Sequence, residues 1–303
     1  MSDLITIDTN NYAAMAKAMG IAGEDSSGPK KSSTLPRLKI QHKPLMGEGE
    51  MNGKSVKLEV VDGGNYSLDP LDGNIVYGSS ATIRPFMQRY MYKRYIPNLM
   101  AKAGDKKGDY VKTVMADSLN IDLKDTSGGF NCGKPAGYVK DFQSLPTHQQ
   151  DLLKSIKRVR AIFGLVTLND AKTASGKPVD LPESPFIWEI DNRDAFKTMG
   201  VPFTKLAQMK RLPVQHNITL TTEGKKSNNG DTFYLPQASL DTTTTVDLSD
   251  DDQNTFQDFM SWIRNYNEWV INTWSEKSTK DISQSDKDTV DSFINIDSQE
   301  EVA

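Results

Sequence analysis

The sequence predicts a mainly β protein of the α+β class: a small barrel with long insertions, followed by a C-terminal amphipathic helix and an acidic tail. Three observations carry this prediction. Short apolar-alternating segments are separated by Gly-, Asp- and Asn-rich turns at irregular intervals, without the strand–helix rhythm of a βαβ array. The strongest helical period lies near the end, where Phe256, Phe259, Ile263, Tyr266 and Val270 recur at steps of three and four. Charge is also divided along the chain: residues 30–230 carry a net +11 and residues 231–303 a net −12, within an overall −4.

In chain order, residues 1–34 read as a short helix from Tyr12 to Met19 and a Gly/Ser/Pro/Lys linker. The body, 35–247, opens with a strand over Leu35–Ile40. Turn-rich stretches at Gly47–Gly53 and Asp62–Asn65 flank a strand carrying Val56, Leu58 and Val60. Ile75–Tyr77 starts another strand, and a long β segment runs from Ala81 to Ile96. Residues 101–120 are polar with little periodicity, and Asp125–Gly137 is a Gly-rich loop. A helix carrying Leu152, Leu153 and Ile156 precedes a core strand through Val159, Ala161, Phe163 and Leu165. Phe186–Ile190 is a short strand, and Thr204–Leu212 gives one or two helical turns. His216–Thr222 and Thr232–Leu235 form a hairpin. The helix at 248–276 starts at Ser249 with Asp250, Asp251 and Asp252 in its first turn, where carboxylates suit the helix dipole. Residues 277–303 are a polar, acidic segment expected to stay disordered.

The segment Ala81–Ile96 holds the binding candidates. Read as an uninterrupted strand, it places Arg84, Phe86, Gln88, Tyr90, Tyr92 and Arg94 on one face. Ile83, Met87 and Met91, with Arg89, Lys93 and Tyr95, fall on the other, core-facing side. Flat rings beside guanidinium groups are what unpaired nucleic acid needs, because rings stack on bases and cations follow the backbone. Phe86, Tyr90 and Tyr92 are therefore expected to stack, with Arg84, Arg94, Arg158 and Arg160 contacting phosphates or bases. Lys134, Tyr138 and Lys140, after the Gly-rich loop, add to the basic surroundings. Aromatic residues also stabilise sheets by cross-strand pairing, so the same rings suit a purely structural role. Pro85 restricts the strand to an edge or a bulge at that point.

Other chemistry finds little support. Cys132 is the single cysteine, so no internal disulfide forms, and His42, His148 and His216 are too scattered in sequence for a zinc site. Gly128–Lys134 lacks phosphate-loop spacing, and Pro135 removes an amide such a loop would use. Asp250–Asp252 lacks calcium-loop spacing. No carboxylate pair suggests metal-dependent nuclease chemistry, so neither an enzyme nor a cofactor is expected. No secretory signal or bilayer-spanning run is read, and the setting expected is a reducing cytosol.

Three stretches resemble single-stranded DNA-binding proteins of tailed bacteriophages, especially marine and cyanobacterial ones: Leu35–Ile40, Tyr77–Tyr92 with Arg84-Pro85-Phe86, and Cys132-Gly133-Lys134 leading to Arg160–Val166. The resemblance spans roughly residues 35–235 and is diffuse. It implies an elaborated OB-like barrel with insertions, action in phage DNA replication or recombination in the cytoplasm of the infected bacterial host, and no catalysis. Such proteins commonly carry an acidic tail that contacts replication proteins and masks the DNA groove. This chain departs from their terminal aromatic residue, ending Glu300-Glu301-Val302-Ala303 with Phe293 as the nearest ring. Trp262 and Trp269 form a second stripe on the 253–276 helix, which suits either packing on the barrel or a homo-oligomer interface. A structural or assembly protein whose basic body binds a protein partner is the rival reading.

Overall fold

The computed structural model describes residues 35–278 except 52–53, 71–73, 101–106, 138 and 228. The expected helix at Tyr12–Met19, the linker and the acidic segment from 279 onward lie outside the described residues.

One large sheet dominates. Its strands are β1 (Arg37–Ile40), β4 (Tyr66–Asp69), β5 (Val76–Gly78), β6 (Ser80–Pro97), β7 (Gly108–Lys112), β8 (Ile156–Asn169), β9 (Lys172–Thr173), β10 (Ser184–Ile190), β11 (Ile218–Lys226) and β12 (Thr232–Leu240). The order is β12-β11-β6-β8-β10-β1-β4-β5-β9, with β7 alongside the distal end of β6. All pairs are antiparallel except β1 with β10. β2 (Leu45–Met51) and β3 (Lys54–Val61) form a separate ribbon. The Gly47–Gly53 stretch, expected as turn, is therefore largely strand. Gly47 lies tight against Val60, where a Cβ would sit 2.7 Å from that side chain, so the glycine serves close packing there.

The sheet curls but does not close into a barrel. Its two flanks meet through side chains: Tyr66 Oη donates to the Thr221 carbonyl (3.0 Å) and Thr222 Oγ1 to that of Gly64 (2.8 Å). No ladder forms there: β4 already uses both edges on β1 and β5, and β11, which pairs with β6 only over Ile218–Leu220, meets β4 through side chains at Thr221 and Thr222. The mainly β, α+β class is observed, whereas the expected closed OB-like barrel is an open, curled sheet.

Four α-helices are present among the described residues: α1 (Thr147–Ser155), α2 (Arg193–Thr198), α3 (Gly200–Gln208) and α4 (Asp250–Ser278). Asn192 caps α2, accepting from the amides of Asp194 and Ala195. Ala195, Met199 and Phe203 of the α2–α3 region pack with Leu38, Tyr66, Ile83 and Phe186 in one core. On the opposite sheet face, Phe256, Phe259 and Ile263 of α4 pack on Phe86, Met91, Val159 and Phe163. Each such buried side chain contributes about 1.5–3 kcal/mol, and this burial, rather than intrinsic propensity, holds α4 in place.

The strand β6 changes face within itself. Its register against β8 shifts between Pro85 and Met87, leaving Phe86 as an inserted residue. Gly164 lies opposite, and a Cβ there would collide with the Arg84 carbonyl and lie 2.9 Å from Pro85 Cα. Arg84, before the insertion, shares the face of Leu165 and reaches the start of α4, where its Nη2 meets Asp252 Oδ1 at 2.5 Å. Both side chains are buried, 8% and 9% exposed. Asp252 also accepts from the Ser249 amide (2.9 Å), while Ser249 Oγ accepts from the Asp252 amide (3.2 Å), a reciprocal cap.

Burial opposes the Asp252 charge, but its bonds to Arg84 and Ser249 hold the carboxyl below its ordinary value of 3.8. Its stabilisation is therefore full above that value and is lost as pH falls through the lower folded-state pKa. Asp252→Ala is expected to cost about 3–5 kcal/mol at neutral pH in urea unfolding, since it leaves a buried guanidinium unpaired. Acidification from pH 5 to below the ordinary value should narrow the gap between wild type and variant as the lowered folded-state pKa is approached.

Candidate nucleic-acid interface

The bulge divides the residues that uninterrupted alternation placed together. Arg84 and Phe86 face α4, with the Phe86 ring edge-on to Phe259 at 5.6 Å and Arg84 over Phe86 at 5.2 Å. Phe86 is 6% exposed and cannot present a ring to a base. Tyr92 is 1% exposed, and its hydroxyl donates to the Leu119 carbonyl at 3.1 Å. It forms a third core with Val111, Leu123, Cys132 and Ile156. Arg160 is also buried: it donates to Gln88 Oε1, to the Tyr90 hydroxyl (3.1 Å) and to the Phe196 carbonyl (3.2 Å), between the Tyr90 and Phe196 rings. The expected surface roles of Arg84, Phe86, Tyr92 and Arg160 are thus replaced by structural ones.

Tyr90, Tyr92 and Arg94 lie opposite Arg160, Arg158 and Ile156 on the other face of the sheet. Tyr90 is half-buried beside Phe196, at 6.0 Å. Arg158 is exposed, with its guanidinium 5.5 Å from the Phe196 ring. Arg94 is half-buried, Lys140 is exposed and Tyr138 lies outside the described residues. Lys134 Nζ sits 5.1 Å from the Tyr92 ring centre and donates to the Pro135 (2.7 Å) and Gly137 (2.6 Å) carbonyls. Burial, then the neighbouring Arg158 charge, brings its amine down to about 8.

The Gly-rich loop holds Lys134 in place. Asn131, Cys132 and Gly133 take consecutive positive φ values of 52°, 60° and 95°. The Asp125 carboxylate accepts from the amides of Ser127, Gly129 and Cys132, which leaves those amides unavailable to a phosphate. Burial, with Asp125 beside it, pushes the Cys132 thiol well above its ordinary value, so it stays protonated.

The α4-side face of the same sheet end carries residues that the sequence reading did not select. Lys112, Lys93 and Lys157 stand in register across β7, β6 and β8, and Tyr110 and Tyr95 form the next cross-strand pair. These rings are 49% and 41% exposed, with centroids 5.1 Å apart. β7 lies inside the polar 101–120 stretch, and its Gly-Asp-Tyr-Val-Lys sequence, with Val111 as its one aliphatic residue, gave no periodic signal. The cross-strand partnership of Tyr95 was therefore invisible. Asp191 pairs with both Lys93 (2.9 Å) and Lys157 (3.3 Å). Burial opposes its charge, but these two partners hold its carboxyl below the ordinary value.

Among the described residues, no group of three His, Cys, Asp or Glu is placed to hold a metal, and no helix is long and apolar enough to cross a membrane. No family model, curated protein or solved structure matches the chain.

Tyr92→Ala is expected to destabilise the fold by about 3–5 kcal/mol in chemical denaturation, the cost of deleting a fully buried ring. Tyr90→Ala, at a half-buried position, should cost clearly less in the same measurement.

Proposed function

We propose that the protein binds single-stranded DNA without sequence preference, through the basic end of the β6–β7–β8 sheet. The observation that carries this reading is electrostatic. Lys93, Arg94, Lys112, Lys134, Lys157 and Arg158 converge on this end, and Asp191 is the one carboxylate ion-paired with any of them among the described residues. Such a cluster repels itself unless a polyanion covers it, and a phosphate backbone supplies that charge. The acidic segment from 279 onward, with seven Asp/Glu and two Lys, competes for the same cations when DNA is absent. The sequence resemblance adds a setting: phage replication or recombination in the host cytoplasm, with replication proteins meeting the acidic segment. The alternative, an assembly protein that binds another protein, draws on Trp269 and Ile271, which are 52% and 39% exposed on α4.

Fluorescence anisotropy with labelled single-stranded and duplex oligonucleotides tests the reading. Single strands should bind more tightly, and affinity should fall with salt. Arg158→Ala should reduce the slope of log affinity against log salt by about 0.7, the value for one phosphate contact on a single strand. A chain ending at Ser278 should bind more tightly than the full chain. Shortening to 247 instead would strip α4 from the sheet and confound the comparison. Absence of binding at low salt would reject the reading.

A phosphate near Lys134 favours its ammonium form, so binding should take up a proton. Affinity should then be highest below pH 8 and fall as pH rises through about 8, the value of the free amine. Lys134→Arg, charged throughout, should flatten that dependence in titrations from pH 7 to pH 9.

A further inference from the structure

The basic cluster explains attraction to a polyanion but does not separate an unpaired strand from a duplex. The exposed rings supply the missing discrimination. We propose that Tyr95 and Tyr110 form the platform on which unpaired bases of single-stranded DNA stack, and that the Lys112–Lys93–Lys157 row beside them holds the adjoining phosphates. This rests on the single-strand-binding reading above and moves the base contacts from the sequence-predicted rings to two others.

Four features support this assignment. Tyr95 and Tyr110 are cross-strand partners on β6 and β7, so their Cα positions are fixed by backbone pairing rather than by a loop. Their rings remain 41% and 49% exposed, whereas Phe86 and Tyr92 are 6% and 1% exposed. The three lysines occupy the neighbouring cross-strand row on the same face, spanning about 10 Å at the usual strand spacing. Lys93 Nζ lies 5.6 Å from the Tyr110 ring centre, which puts cation and platform in contact.

Gly108 completes the platform. A Cβ at this position would lie 2.5 Å from both Cζ and Oη of Tyr95. The ring therefore rests on the bare β7 backbone, and the absence of a side chain is what seats it there. A seated ring loses little conformational freedom when a base stacks on it. The charge complementarity favours a nucleic-acid strand, and the flat exposed rings favour one with unpaired bases.

The test uses the full chain, a labelled oligothymidylate and labelled polyglutamate, which carries charge without bases. The double variant Tyr95→Ala/Tyr110→Ala is expected to lose at least about 30-fold in oligothymidylate affinity, the low end for two stacked bases. Its polyglutamate affinity should stay as in wild type. Tyr95→Phe/Tyr110→Phe should keep wild-type oligothymidylate affinity, because the rings and not the hydroxyls act. Thermal melts confirm that each variant is folded. If wild type binds oligothymidylate, Arg158→Ala weakens it and the double Ala variant binds as wild type, the platform is overturned while the single-strand reading stands. Equal losses on oligothymidylate and polyglutamate would also overturn it, since the rings would then only shape a charged surface. Loss by the Phe variant at unchanged melting temperature would overturn stacking in favour of hydroxyl contacts. If wild type itself does not bind, the single-strand reading falls and takes the platform with it.

Discussion

A proline in the middle of a central strand constrains the whole sheet. Pro85 has no amide to give to a neighbour, yet β6 must pair with β8 along most of its length. The chain accommodates this by inserting Phe86 as a bulge, opposite a glycine whose missing side chain leaves room for the displaced backbone. Beyond the bulge, odd and even positions exchange faces. Arg84, before the bulge, faces the first turn of α4, while Gln88, Tyr90 and Tyr92, beyond it, turn to the other side. The placing of Tyr92 on the face away from α4 and the approach of Arg160 to Tyr90 follow from this one insertion.

The tether also sets where α4 can lie. Its capped N-terminus is fixed by Arg84, and its apolar stripe then runs down one face of β6 and β8. Farther along, Tyr266 donates to the Thr113 carbonyl at 2.9 Å, and Asn267 accepts from the Met115 amide at 2.7 Å. These bonds fasten the segment following β7 to the helix. The exposed Tyr110 and the half-buried Lys112 thus belong to a strand braced at its C-terminal side, where the Lys112 amide and carbonyl also bond to Thr126. A binding surface on such an element keeps its geometry when the partner is absent, which lowers the entropic cost of association.

Much of the local structure was legible in the sequence. The period of α4, its acidic first turn, the strand through Val159 and Phe163 and the hairpin after His216 all follow from alternation and helical spacing, which local sequence encodes directly. Pro85 even announced an edge or a bulge. What alternation cannot show is the consequence of a bulge, because one extra residue reverses the face of every later side chain. Phe86 and Tyr92 were misplaced for that reason, as a pattern that counts in twos assumes an unbroken strand. β7 was hidden because one apolar residue among polar ones gives no period, and the open sheet was hidden because closure depends on which edges remain free.

The basic residues of this chain divide by what already surrounds them. Arg84 has a buried carboxylate, and Arg160 has two side-chain oxygens, a carbonyl and two rings. A guanidinium so enclosed orients its neighbours, and removing it from them to meet a phosphate would leave buried polar groups without partners. Arg158, Lys157 and Lys112 differ: the first two stand on β8 beside Arg160 and are exposed, and the third is half-buried on the neighbouring β7 with no carboxylate ion-paired to it among the described residues. Net charge along the sequence weighs all five equally. The fold does not, because enclosed arginines determine the shape of the sheet end, whereas exposed cations determine its field. Arg160 connects the two roles, since by fixing Phe196 it also sets the ring on which the exposed Arg158 rests. The exposed basic surface is therefore built on buried charge, and in the proposed DNA binding a substitution that loosens Arg160 would act through geometry rather than through the loss of one positive charge.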